Sequence, residues 1–306
     1  MRWLKTRKVR VAAGLIGIEC GPQGIALAQV ERREDGSPLL QRCEFRAVPP
    51  AEQEAALKAL VQEHGLQDMP VNLLLHPADY QAHLLDAPEV AADELRDALR
   101  WKVRELVGNS LTDYVVDGFN LPEDAYRGRA RRSFCAVLDK ARMQAGERLV
   151  RHAGLRLQSI DITEMAFRNL GLLAGAEGIN LGLLRLRSSE GLICIQNGSE
   201  LYMSRRIEQG LDQAGEDFAN VILEVQRSLD YYEGQLGKGY IARLLLLPMK
   251  RLGEPTLAAL SSGLAVHVLP LRLAELFPGQ PAAELDDAAQ AFCIGAVGAA
   301  LRQEAG

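Results

Sequence analysis

The side chains able to bind, transfer or coordinate are scattered along this chain. None of its five histidines, His64, His76, His83, His152 and His267, stands beside a serine, cysteine or carboxylate in a nucleophile or zinc signature. They read as ordinary surface or core histidines. The cysteines, Cys20, Cys43, Cys135, Cys194 and Cys293, are odd in number and form no CxxC pair. Neither a disulfide framework nor a structural metal site is indicated, and a reducing cytoplasm fits. What does cluster is positive charge. Arg127, Arg129, Arg131 and Arg132 fall at an expected hairpin tip, where they attract an acidic partner, lipid headgroups or a cyclic dinucleotide, or else guard a solvated strand edge. Arg2, Lys5, Arg7, Lys8 and Arg10 open the chain beside Trp3 and Leu4, either as a contact to anionic lipid or as a frayed terminus. The residues alone give no catalytic set and no metal ligands.

Such groups need a scaffold, and the composition supplies one. At 306 residues the chain makes about two domains or one elaborate one. Hydrophobic residues at 48% and charged residues at 25% exclude a disordered tail, a collagenous rod and a disulfide miniprotein. A net charge of -5 argues against a nucleic-acid coat, so an anionic partner must be met locally. The apolar run from Val11 to Ile18 is cut short by Glu19, and no later stretch reaches the roughly 18 to 20 residues of a membrane span.

Periodicity then predicts the elements. Three strands, 9–19, 24–32 and 39–47, are broken by Gly21-Pro22 and by the Asp35-Gly36 hairpin signal. A helix over 51–64 stops at Gly65, and a buried strand follows at 71–75, giving a βββαβ unit. The segment 93–107 spaces Leu95, Leu99, Val103 and Leu106 as an amphipathic helix closed by Gly108-Asn109. Its apolar stripe belongs against its own insert sheet or against a partner; Arg96, Arg100, Lys102 and Arg104 make its exposed side basic. Strands at 113–120 and 132–138, a helix at 140–153 and a strand at 155–162 complete an insert of about 70 residues. From Gly178 the opening repeats: strands at 182–187, 192–196 and 201–207, with an Asn197-Gly198 turn, precede a long helix near 214–235. A buried strand at 242–247, another helix, a strand at 266–269 and a terminal helix over 289–301 follow. The expected organisation is thus a first subdomain over 1–90, an inserted α/β subdomain over 91–165 and a second subdomain over 166–306. Two βββαβ halves, one carrying an insert, are the plan of the α/β actin-like ATPase (ribonuclease-H-like) fold.

Several stretches resemble the PilM-type assembly proteins of type IV pili, most closely the MshI type of mannose-sensitive haemagglutinin (MSHA) pili. They are Glu94-Leu-Arg-Asp-Ala-Leu-Arg-Trp-Lys-Val-Arg-Glu-Leu-Val107, Asp113-Tyr-Val-Val-Asp117, Ala153-Gly-Leu-Arg-Leu-Gln-Ser-Ile-Asp-Ile162, Glu224-Val-Gln-Arg-Ser-Leu-Asp-Tyr-Tyr232 and Ile294-Gly-Ala-Val-Gly-Ala-Ala-Leu-Arg302. A related type II secretion protein shares the cytoplasmic fold but would carry a membrane span. The resemblance implies a cytoplasmic protein, peripheral at the inner membrane, that joins other pilus platform proteins and grips the cytoplasmic tail of a bitopic PilN-like protein. It places the groove between the first subdomain, before Ala47, and the insert.

The resemblance also implies two phosphate loops of Asp-x-Gly pattern that order Mg-ATP, and a Gly-Gly pair at the adenosine. Here Gly17-Ile-Glu-Cys-Gly21 puts Glu19 at the acid position and keeps Gly21, but Pro22 removes a donor and Ala26 replaces a lysine. Leu184-Arg-Leu-Arg187 puts Arg185 at the second acid position and Arg187 at the glycine. Pro248-Met249 stands at the adenosine pair, after Leu244-Leu-Leu-Leu247. The expectation is therefore a pseudo-ATPase with no resident cofactor; the alternative is an ATP-binding factor of weak or no hydrolysis, in which Arg185 and Arg187 pair with phosphates.

Overall fold

The computed structural model describes residues 14–107, 111–128, 131–215 and 217–303. The basic opening of the chain with the expected strand from Val9 to Ala13, the Gly108-Asn109 helix stop and Arg129 lie outside the described residues.

Strands β1 (Leu15–Gly21), β2 (Gly24–Arg32) and β3 (Pro38–Arg46) form the opening meander, followed by α1 (Gln53–His64) and β4 (Pro70–Leu74). The first turn holds only Pro22 and Gln23, between the paired Gly21 and Gly24. Gly36 closes the second at φ +81°, with the Asp35 carboxylate accepting the Ser37 N–H. Next come β5 (Tyr80–Asp86), α2 (Leu95–Val107), β6 (Tyr114–Asn120), β7 (Arg132–Asp139), α3 (Lys140–His152), β8 (Arg156–Asp161) and α4 (Thr163–Leu173). The second half runs through β9 (Asn180–Leu186), β10 (Gly191–Asn197), β11 (Glu200–Ile207), α5 (Ala219–Tyr231), β12 (Arg243–Leu246), α6 (Gly253–Gly263), β13 (Val268–Pro270), α7 (Leu273–Leu276) and α8 (Asp287–Ala300).

The two halves repeat in topology. One five-stranded sheet has the order β3-β2-β1-β4-β8 and the other β11-β10-β9-β12-β13. In each, the central strand pairs antiparallel with the meander and parallel with the next strand. Alternation along the central strands sorts the cores. Ile16 and Ile18 of β1 face outward onto α1 and α3, while Leu184 and Leu186 of β9 face the core beneath α5 and α6. The opposite faces meet α4 and α8, whose Phe167, Leu170, Ile294 and Val297 share one core with Ala28 of β2 and Leu183 of β9. Small residues allow this: a Cβ on Gly17 would lie 1.9 Å from the Ala296 carbonyl oxygen, and one on Gly298 2.5 Å from that of Ala166.

The insert is organised differently from the expectation. Its three-stranded sheet has the order β5-β7-β6, and β5, at Tyr80–Asp86, was not among the predicted strands because Tyr-Gln-Ala-His-Leu-Leu-Asp lacks β-branched residues and clear alternation. The strand and helix assigned to the insert's end lie elsewhere. β8 pairs in parallel with β4, Leu73 opposite Ile160, while Val150, Ala153 and Leu155 complete the core over Ile16 and Leu60. Those apolar groups are buried against the first sheet and α1. The stripe of α2 packs Leu99 and Val103 on Val116, Cys135 and Val137 of its own sheet, and Trp101 projects into solvent at 65% exposure.

Candidate functional site

Side chains at the carboxyl ends of β1, β4, β9 and β12 converge on one cavity of about 450 Å³ between the two halves. Open α/β sheets bind ligands at such ends. The residues singled out in sequence, Glu19, Gly21, Arg185, Arg187, Pro248 and Met249, all line it. Parity explains the convergence. Glu19 continues the inward face of Gly17 on β1; Arg185 and Arg187 continue that of Leu181 and Leu183 on β9, so both sets project over α8.

They do not remain apart. Glu19 Oε1 accepts from Arg187 Nη2 at 3.0 Å and from Arg185 Nη1 at 3.4 Å, so one carboxylate bridges the halves. Arg187 Nη1 reaches His76 Nε2 at 2.5 Å and Glu190 at 3.8 Å, while Arg185 Nη2 bonds the Ala291 carbonyl of α8. Glu19 is 6% and Arg185 8% exposed. Burial pushes the Glu19 pKa up, but Arg185, Arg187 and His76 together outweigh it and hold the carboxyl below its ordinary range. Burial, then Arg185, bring Arg187 down to about 10. His76 is lowered by burial and by Arg187, and Lys250 by burial and both guanidiniums. Above the ion pair, Phe45 of β3 stacks on Phe292 of α8 with ring centroids 3.8 Å apart, and Lys250 Nζ sits 3.9 Å from the Phe292 centroid.

These residues do not fit magnesium. The cation needs carboxylate, water and phosphate oxygens in an octahedron, and in this ion-pair cluster Glu19 is bound by guanidiniums on one oxygen while its other, Oε2, has no hydrogen-bond partner among the described residues and presses on Gly295. The position of the second acid holds Arg185. Pro248 presents no N–H, and Met249 is buried in the second core at 5% exposure.

No protein-family model matches the chain, and no curated protein matches it in sequence. Solved structures do. A PilM–PilN type IV pilus biogenesis complex matches at TM-score 0.72 and 16% identity, over 95% of this chain and 99% of the other. The cytoplasmic domain of EpsL, an inner-membrane component of the Vibrio cholerae type II secretion system, matches at 0.52 and 12% identity, over 87% and 92%. A Bacteroides thetaiotaomicron protein of actin-like ATPase fold matches at 0.52 and 10%, over 91% and 95%. The chain has the actin-like ATPase fold. The cleft between its two halves is bridged by the chain's own charges.

Several contributors to this actin-like cleft escaped sequence reasoning. His76, taken as an ordinary histidine, meets Arg187 across 111 residues, and no local signature marks such a contact. Phe45, Phe292 and Lys250 lie on separate elements and carry no motif.

Other candidates resolve into local pairs. Arg131 binds Glu123 at 2.7 Å, Arg132, at the start of the central strand β7, binds Asp86 at 2.5 Å, and Arg127 packs on Gly237. Glu44, Glu63 and His64 stand close enough to hold a cation, but Arg46 already bridges the two carboxylates at 2.6 and 2.9 Å. Among the described residues no helix is long and apolar enough to cross a membrane. A second cavity, about 630 Å³, borders the insert; its far wall is β11 of the second half rather than the meander before Ala47.

Proposed function

We propose that the chain is a PilM-like, non-catalytic adaptor of a type IV pilus inner-membrane platform, of the MshI type serving MSHA-like pili. It works at the cytoplasmic face of the inner membrane and holds the cytoplasmic tail of a bitopic PilN-like protein among other platform proteins. The observation that carries the reading is the Glu19 bridge to Arg185 and Arg187, which spans the cleft where an actin-like ATPase would bring together metal and triphosphate. A working ATPase gains several kcal/mol of transition-state stabilisation from its metal, and here Arg185 stands where the second carboxylate belongs while Glu19, the first, is taken up by guanidiniums. The likeness to the PilM–PilN complex over 95% of the chain supports the partner.

A second reading has its own support. Arg185, Arg187, Lys250 and Arg251 beside the stacked Phe45 and Phe292 would suit a nucleotide held without metal. Titration calorimetry separates the two. A synthetic PilN-like N-terminal tail binds 1:1 and raises the melting temperature under the adaptor reading, while Mg-ATP gives no heat. Magnesium-dependent ATP binding abolished by Glu19→Gln refutes the pseudo-ATPase; ATP binding undiminished by EDTA establishes the metal-free alternative. No tail affinity up to millimolar concentration refutes the adaptor.

A further inference from the structure

The cavity of about 630 Å³ beside β5 and β11 concentrates aromatic rings in a chain that has few. Aromatic residues make up 5% of the sequence, yet Tyr126, Phe134, Tyr202 and Tyr231 are four of the thirteen residues lining this space. Three of those rings are backed on one face. Phe119 stacks behind Phe134 with centroids 5.5 Å apart, the Arg132 guanidinium lies 5.8 Å from the Tyr126 centroid, and the Lys238 ammonium lies 5.2 Å from that of Tyr202. Phe119, Arg132 and Lys238 do not line the cavity, so the ring faces left for a ligand are those turned toward it.

Charge around the space is matched at every cation but one. Arg205 pairs with Glu224 at 3.1 Å, Arg132 with Asp86 at 2.5 Å, and Lys238 with Asp124. Arg206 is the exception. Its Nη2 donates to the Pro77 and Tyr80 carbonyls at 2.7 and 3.3 Å, its guanidinium lies 5.3 Å from the Tyr80 ring centroid, and it forms no ion pair among the described residues. Glu164, the one acid in the lining, is turned to hydroxyls instead, accepting from Tyr80 at 2.5 Å and from Ser204 at 3.4 Å, and burial raises its pKa. Burial lowers that of His83, leaving the ring neutral at pH 7.

We infer that this cavity is a binding site for a small aromatic anion, its ring seated among Tyr126, Phe134 and Tyr202 and its carboxylate, sulfonate or phosphate group on Arg206. The volume suits such a ligand, since small-molecule sites measure roughly 300–1,000 Å³. Stacked or edge-on ring contacts orient the planar part. A guanidinium already held by two main-chain carbonyls loses little freedom in taking an anion, and the charge-assisted bond fixes which end of the ligand enters. The site shares no residue with the cleft of Glu19, and it lies between Ala82 to Leu84 of the insert sheet and Tyr202 to Arg206 of the second half, so its ligand ties the two together.

The probe is anilinonaphthalene sulfonate, an aryl sulfonate whose fluorescence rises on leaving water, titrated against the full chain beside phenylnaphthylamine, the same ring system without the sulfonate. The sulfonate binds one to one and at least tenfold more tightly than the neutral amine. Arg206→Met abolishes that preference, weakening the sulfonate at least tenfold and leaving the amine unchanged. Leu84→Trp, at a 44% exposed position on the cavity wall, fills the space and weakens both probes at least tenfold; it keeps the test decisive where Arg206→Met fails to fold. Sulfonate binding at wild-type strength in Leu84→Trp, a preference that survives Arg206→Met, equal affinity of the two probes for the wild type, or no sulfonate binding up to millimolar concentration overturns the site.

Discussion

Replacing Glu19 by Gln removes the one negative charge that Arg185 and Arg187 share while keeping the side chain's size. Arg185, 8% exposed, is then left as a buried cation beside the part-exposed Arg187, which keeps only Glu190, at 3.8 Å, as a counter-charge. Removing one partner of a buried pair costs about 3–5 kcal/mol. With an unfolding entropy of about 2.1 cal/mol/K per residue, the 306-residue chain loses about 1.6 °C per kcal/mol, so the melting temperature falls by roughly 5–8 °C at pH 7. Thermal melts followed by circular dichroism measure this. The companion Glu19→Leu, Arg185→Met, Arg187→Met variant, which removes all three charges, recovers most of the loss, because a well-packed apolar replacement of a buried ion pair is near neutral. Acid adds a third arm. Since the folded Glu19 pKa is depressed, its contribution is present above the ordinary glutamate value of about 4.3 and disappears as pH falls through the folded value. The gap between wild type and Glu19→Gln therefore closes on acidification. A Glu19→Gln shift under about 2 °C at pH 7, or a gap that widens toward pH 3, refutes the bridge as a structural tie.

Gly17→Ala drives a Cβ to within 1.9 Å of the Ala296 carbonyl, forcing β1 from α8, and lowers stability in urea melts by about 1–3 kcal/mol or more. Glu164 has its pKa raised by burial, so its contribution is complete below the ordinary carboxylate value and is lost as pH rises through the folded one; Glu164→Gln gains on wild type in melts taken from pH 4.5 to pH 8. Asn72→Ala, at a fully buried position, removes donors to the Ala299 carbonyl and Asp161 and leaves the Ser159 hydroxyl without its acceptor, costing about 2–3 kcal/mol by chemical denaturation.

Local pattern and chain order determined the two βββαβ halves, their tight turns at Asp35-Gly36 and Asn197-Gly198, and the three loops that converge on the cleft. Those features depend on periodicity, on glycine at left-handed positions and on residues placed just past a strand's end, all of which are written within a few positions of one another. The departure of the second loop from the acid–glycine pattern is likewise written in the sequence, since the residue types at 185 and 187 are enough to see it. Only the tertiary structure decided that Glu19 pairs with both arginines, that His76 and the Phe45–Phe292 stack join them, and that β8 with α3 belongs to the first sheet instead of the insert. Those are contacts between groups tens to hundreds of residues apart, fixed by which apolar face finds cover and by how closely α8 can approach β1. A charge in a sequence carries no sign of its partner; burial decides that it must have one, and the fold decides which.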